Sequence, residues 1–304
     1  MGFNTQPALL SSGIAGAGKS FTAELWNDFD PQAMDRDPSL GVYYQDDFLS
    51  PPVFAANSAA ASVSGRYNGA TGATAGSTIG PVAGQGGVVE LQSTTDNEAA
   101  ILQFGGVAAR PFMLTTAPED DTYPYHHLAR LRLETRFLLH PNVIADEQAI
   151  FIGMAGVVAL TDLDNDTGDV VGSKNFFGFH TLNAAPSTLR FIYQAAADSA
   201  PQVLIASVAT LEANKWYTAA IDYDPTAPAD QRGKIWFNGA KNAIHLTQAQ
   251  SEAATFPKSN DSTQVTLAPT WMRKSGDGTT TGLVLGSWRI AEEYKVKRGN
   301  EACG

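Results

Sequence analysis

Gly13-Ile-Ala-Gly-Ala-Gly18-Lys19-Ser20 has the spacing of a phosphate-binding loop. In such a loop backbone amides cradle the phosphates, the lysine reaches the β- and γ-phosphates, and the serine ligates magnesium. That chemistry needs a strand before the loop and a helix after it, within a parallel sheet. Pro7-Ala8-Leu9-Leu10 is a poor strand, no run of βαβ units follows, and Val42-Tyr43-Tyr44-Gln45-Asp46 is a weak acidic partner strand. The match is read as a Gly/Ala-rich stretch. A second candidate is Asp162, Asp164 and Asp166, alternate carboxylates that supply the hard oxygens calcium prefers. The helical calcium loop would need Gly at its sixth position and Glu at its twelfth, where Thr167 and Ser173 stand. What remains is an irregular calcium site or, as the alternative, a hydrophilic turn. His126 and His127 are adjacent, so on an extended chain they point to opposite faces and chelate one ion poorly. His140, His180 and His245 are isolated and read as surface or packing residues. There is no Gly-x-Ser-x-Gly elbow, no strand with Glu-x-Asp-x-x-Glu, and the one cysteine, Cys303, sits beside the C-terminus. The expectation is a protein that is not an enzyme and has no cofactor, calcium excepted.

The elements that would position such groups are strands. Lys215–Asp224 places Tyr217, Ala219, Ile221 and Tyr223 on one face, and Trp216, Thr218, Ala220 and Asp222 on the other. Pro225 to Gly233 reads as a loop, Lys234–Asn238 as a second strand, and Asn238-Gly239 as a tight hairpin turn. In Leu131–Leu139 the residues Leu131, Leu133, Thr135, Phe137 and Leu139 alternate with Arg132, Glu134 and Arg136. That pattern predicts a sheet with one buried and one solvated face, with a binding stripe as the alternative for the Arg-Glu-Arg row. Trp216, Trp236, Phe137 and Ile221 are expected in the core. Further strand signals run from Val88 to Tyr294, with one helix signal at Thr247–Ala254. A dozen or so strands at this spacing give an all-β fold, an antiparallel sandwich or jelly roll, as one domain over residues 41–296. Residues 297–304 form a tail.

At 304 residues, with 43% hydrophobic and 17% charged content, the chain reads as soluble and globular. Its 28 glycines and 16 prolines supply the turns that an all-β chain needs. The net charge of −11 would repel phosphates, so direct nucleic-acid binding is not expected. One cysteine allows no internal disulfide. No signal peptide is legible, and no apolar run approaches the ~18 residues of a membrane span.

Residues 1–40 differ from the rest. Phe3, Leu9, Leu10, Ile14, Phe21, Leu25 and Trp26 are scattered among small residues without a sustained period. A short helix is expected from Phe21 to Phe29, with Ser20 as its N-cap and Pro31 beyond its end, and Asp35, Asp37 and Pro38 read as linker. Such an extended N-terminal arm lacks a core of its own and gains order by packing on something else. It is either a strap across its own domain or an arm laid on a neighbouring subunit.

Asp46-Asp47-Phe48, Gly87–Leu91, Phe176-Phe177-Gly178-Phe179, Trp216–Asp224, Phe237-Asn238-Gly239 and Leu283–Ile290 together resemble the concanavalin A-like lectin/glucanase sandwich. The Trp…Tyr-Asp…Asn-Gly series is similar to laminin-G-type domains. With the Gly/Ala-rich segments and the arm, the chain also resembles such domains in tailed-bacteriophage virions. That resemblance implies a virion protein assembled in the host cytoplasm, a capsid decoration or cement protein held to the head by its arm. Its partners would be the major capsid protein or other virion proteins, and it would form a homo-oligomer such as a trimer. The alternative is a tail or fibre component, or a carbohydrate-binding module that recognises a host glycan on a sheet face.

Overall fold

In the computed structural model, residues 22–54, 62–64, 66–72, 77–105, 112–114, 128–140, 148–156, 174–198, 200–259, 265–276 and 281–294 are described. The early strands are β1 (Gly41–Asp46), β2 (Ser62–Ser64), β3 (Tyr67–Thr71), β4 (Thr78–Pro81), β5 (Val89–Ser93), β6 (Ala99–Phe104) and β7 (Phe112–Met113). Next come β8 (Ala129–Leu139), β9 (Ala149–Ala155), β10 (Phe176–Leu182), β11 (Ala185–Gln194) and β12 (Gln202–Thr210). The last are β13 (Trp216–Tyr223), β14 (Gly233–Phe237), β15 (Ala240–Lys241), β16 (Thr266–Lys274) and β17 (Thr281–Tyr294). Helices α1 (Ala23–Trp26) and α2 (Pro31–Arg36) precede the strands, and α3 (Gln248–Glu252) lies between β15 and β16.

All of the paired strands run antiparallel, in two sheets. The first has the order β15-β14-β13-β8-β17-β5-β4, with β1 also on β17; the second has the order β12-β11-β10-β9-β16-β6-β3-β2, with β7 also on β16. Strand β17 organises the first sheet. This 14-residue strand pairs with β8 along one edge over 283–294, and β5 and β1 share the other edge, beside 281–285 and 288–293. A register shift at Gly286 separates the two halves.

Period-two patterning sends Leu131, Leu133, Phe137, Leu139, Tyr217, Ile221, Tyr223, Leu283, Leu285 and Ile290 inward from the first sheet. Ile150, Ile152, Met154, Phe177, Phe179, Phe191 and Trp271 meet them from the second. Two buried polar contacts span this core: Trp271 Nε1 donates to Thr135 Oγ1 (3.1 Å), and Trp288 Nε1 donates to the Tyr67 hydroxyl (2.7 Å). Each satisfies an indole N–H that would otherwise be buried without an acceptor. The hairpin turn at Asn238-Gly239 has φ of +50° and +79°, the left-handed values that this residue pair tolerates.

The structure corrects three expectations. Pro31 opens a second helix: Asp30 accepts hydrogen bonds from the Gln32 and Ala33 amides, and proline at the first helical position needs no amide partner. Thr22, not Ser20, precedes α1 and makes no side-chain cap bond. The Arg132/Glu134 row is not solvated; both residues are buried, at 0% and 1% exposure.

Candidate functional site

The outer face of the first sheet has two halves, and the N-terminal segment defines them. Residues 22–36 lie across one half. Leu25 and Trp26 pack with Ala220, Trp236 and Ala291, with Phe29 and Tyr43 at the margin. Beneath them Glu134 acts as a clamp. The Thr22 amide and hydroxyl donate to Oε1 (2.7 and 2.8 Å), the Trp26 indole N–H donates to Oε2 (2.7 Å), and Arg289 donates from Nε and Nη2 to Oε2 (3.0 and 2.9 Å). The Arg289 guanidinium also lies 4.0 Å from the Trp26 ring centroid. Burial pushes the Arg289 guanidinium below its ordinary range, and the Glu134 carboxylate opposes that shift.

A second ionic group holds the far end of the strap. Asp28 bridges Arg130 and Arg132, 2.8 Å from each. Arg130 grips Asp222 bidentately at 2.7 and 2.9 Å, and Arg132 also pairs with Glu293 at 2.8 Å. Burial alone would raise the Asp28 carboxyl, but the Arg132 and Arg130 charges hold it below the usual carboxylate range. Glu24 accepts from the Trp236 indole at 3.2 Å. Trp236 is therefore buried under the strap rather than between the sheets.

The other half of this face is not covered by the strap. It is built by the outward positions of β13, β8, β17 and β5: Trp216 and Thr218; Arg136 and Leu138; Gly282, Val284 and Gly286; Glu90 and Gln92. Trp216, expected in the core, is half-exposed here, and the Arg136 guanidinium lies 4.0 Å from its ring centroid. The space above the two glycines on β17 is taken up by neighbouring side chains, Trp216 and Glu90, which flank a shallow trough. A Cβ on Gly286 would fall 2.9 Å from the Trp216 ring, and one on Gly282 would fall 2.0 Å from Glu90 Oε1. Burial pushes the Glu90 carboxyl above the ordinary range, with the positive charges of His140 and Arg273 opposing it. Burial likewise lowers Arg136.

On the outward face of the second sheet, Gly153 and Gly178 are cross-strand partners. A Cβ on either would strike the other strand's backbone at 2.5–2.6 Å, and the Phe151 ring folds over both. His180, expected at the surface or in packing, is buried here and accepts from Arg190 Nε at Nδ1 (3.0 Å).

Of the residues expected to form sites, Asp162, Asp164 and Asp166 lie outside the described residues, as do Gly13–Ser20 and Phe3, Leu9, Leu10, Ile14 and Phe21. Among the described residues no group of three or more His, Cys, Asp or Glu side chains is placed to hold a metal ion. Leu25 and Trp26 are seated on the chain's own sheet, which makes residues 22–40 a strap belonging to the domain. Sequence reasoning placed Arg136 in the outward Arg-Glu-Arg row and assigned no role to Gly282, Gly286 and Glu90.

No protein-family model and no curated relative matches the sequence. Solved structures do. An endo-1,3-β-glucanase from Streptomyces sioyaensis superposes with a TM-score of 0.50 at 10% identity, over 83% of this chain and 95% of that one. The fold is that of the concanavalin A-like lectin and glucanase sandwiches. Peanut lectin (TM-score 0.46, 12% identity, 84% and 99% covered) and a protein of unknown function from Shewanella oneidensis (0.46, 14%, 89% and 97%) are similar in outline.

Proposed function

We propose that the chain is a non-catalytic structural subunit of a virus particle, a capsid decoration or cement protein attached by its N-terminus. The observation that carries this reading is the Glu134 clamp, which fixes Thr22 to the sheet, so that the domain has its own hold on the chain from Thr22 onward. That leading segment has no charged side chain before Lys19 and holds Phe3, Leu9, Leu10, Ile14 and Phe21, in a chain of net charge −11. Its first 18 residues can be buried against another protein without stripping water from a charged side chain. Each large apolar side chain so covered contributes about 1.5–3 kcal/mol before the ordering entropy is subtracted. Several copies on one lattice reinforce each other through effective concentration. The partners are then the major capsid protein or other virion proteins, with the acidic sandwich facing solvent.

The non-catalytic part of the proposal rests on carboxylate use. Glycoside hydrolysis takes two carboxylates flanking the bond. Glu134 and Asp222 are committed to arginines, and Glu90 is the one carboxylate on the strands of the uncovered half. Deleting residues 2–21, which spares the clamp, is the test: the shortened chain should stay folded and lose attachment to particles. Retained attachment would refute the reading. A second reading, recognition of a host glycan, is favoured by the trough beside Trp216.

A further inference from the structure

The geometry points to the trough on the first sheet as a binding site for an acidic sugar, a pyranose carrying a carboxylate, held by Arg136, Trp216 and Glu90. This inference rests on the glycan reading and names the ligand class. Arg136 carries it. Arg130, Arg132 and Arg289 on the same sheet face each meet a carboxylate within 3.0 Å. Arg136 is half-buried, stacked on Trp216, and makes no ion pair among the described residues. Among the described residues no carboxylate offsets its lost hydration, in keeping with the lowering that burial imposes on it. A guanidinium pinned against an aromatic ring presents a planar fork of N–H donors that matches a carboxylate bidentately.

The rest of the trough asks for more than an anion. Glu90, across β17 from Leu138, makes no hydrogen bond or ion pair among the described residues and so offers acceptors to hydroxyl groups. Leu138, half-buried, lies between, with the indole at one end, and these suit the C–H face of a pyranose. Gly282 and Gly286 let the Glu90 carboxylate and the Trp216 ring settle against β17 at the two ends of the site. One small molecule supplies a carboxylate for Arg136, hydroxyl donors for Glu90 and an apolar ring face for Trp216 and Leu138. An acidic peptide supplies the first without the ring, and its repeated charges meet Glu90 and a chain of net charge −11.

The test titrates the full chain with a panel of uronic- and sialic-acid oligosaccharides, their neutral methyl esters and a Glu/Asp-rich peptide, read by calorimetry and tryptophan fluorescence. At least one acidic oligosaccharide should bind, its methyl ester at least tenfold more weakly. Arg136→Gln should cost tenfold or more in affinity with an unchanged melting temperature, and Trp216→Phe should abolish the fluorescence response. Equal binding of acid and ester would overturn the acidic-sugar inference and leave glycan recognition standing. No sugar binding at all would overturn both. Peptide binding as tight as sugar binding, with the same Arg136 dependence, would make the site a protein-docking surface and overturn the inference.

Discussion

Replacing Glu134 by alanine should release the strap and cost about 3–5 kcal/mol, the usual penalty for breaking a buried ion pair from one side. The figure follows from what the carboxylate holds. Glu134 is 1% exposed and accepts five hydrogen bonds, two of them from Arg289, itself 7% exposed. Without Glu134 the buried guanidinium loses its carboxylate, and the Thr22 amide and hydroxyl and the Trp26 indole lose their acceptor. The protein can limit the loss by lifting the strap and letting water in. That escape has its own cost, because Leu25 and Trp26 come off the sheet at about 1.5–3 kcal/mol each. The two routes are of similar size, so the loss should appear by either. Urea denaturation gives the magnitude, and limited proteolysis between residues 22 and 40 gives the route. A loss under about 1 kcal/mol, with the strap still protected, would refute the clamp.

The two shifted carboxyls predict opposite pH effects. Asp28 is held low when folded, so its contribution is present above about pH 4 and is lost as the pH falls through the depressed value. Asp28→Asn should remove that acid sensitivity in a melting-temperature series. Glu90 is raised when folded, so its neutral form is favoured and stability is lost as the pH rises through its folded value. Glu90→Gln should therefore raise the melting temperature at pH 7 and have no effect near pH 3. Gly153→Ala places a Cβ 2.5 Å from the Phe177 carbonyl oxygen, a backbone atom that cannot step aside, and should cost about 1–3 kcal/mol in denaturation. Phe137→Ala, at a fully buried site beside Tyr217, should cost about 3–5 kcal/mol.

Alternation within a strand was legible; what covers the strand was not. Tyr217, Ile221 and Tyr223 face the core as their spacing requires, and the loop and hairpin around β14 fall where Pro, Asn and Gly place them. The same alternation put Arg132 and Glu134 on the opposite face and suggested water there. A period of two separates the faces of a strand but carries no information about a segment about 100 residues earlier in the chain that folds back over one of them. Trp236 illustrates the point: it is buried as expected, but under the strap and not between the sheets. Helix α2 was missed because Asp35, Asp37 and Pro38 drew the reading toward linker, although Asp30-Pro31 is a helix-start signal. The trough was illegible for another reason. It is assembled from four strands whose register only the sheet defines, and its flanking side chains settle against two glycines that are unremarkable in a Gly-rich sequence.

The central claim is that residues 1–21 attach the protein while residues 22–40 belong to the domain. It is tested most directly by co-sedimentation with purified particles, comparing the full chain with the forms lacking residues 2–21 and 2–38. The account predicts that the first deletion leaves the melting temperature within about 2 °C, a stability change under about 0.5 kcal/mol, and abolishes occupancy on particles. The second should lower stability as well, because it removes the ligands of Glu134. Full occupancy by the chain lacking residues 2–21 would contradict the claim.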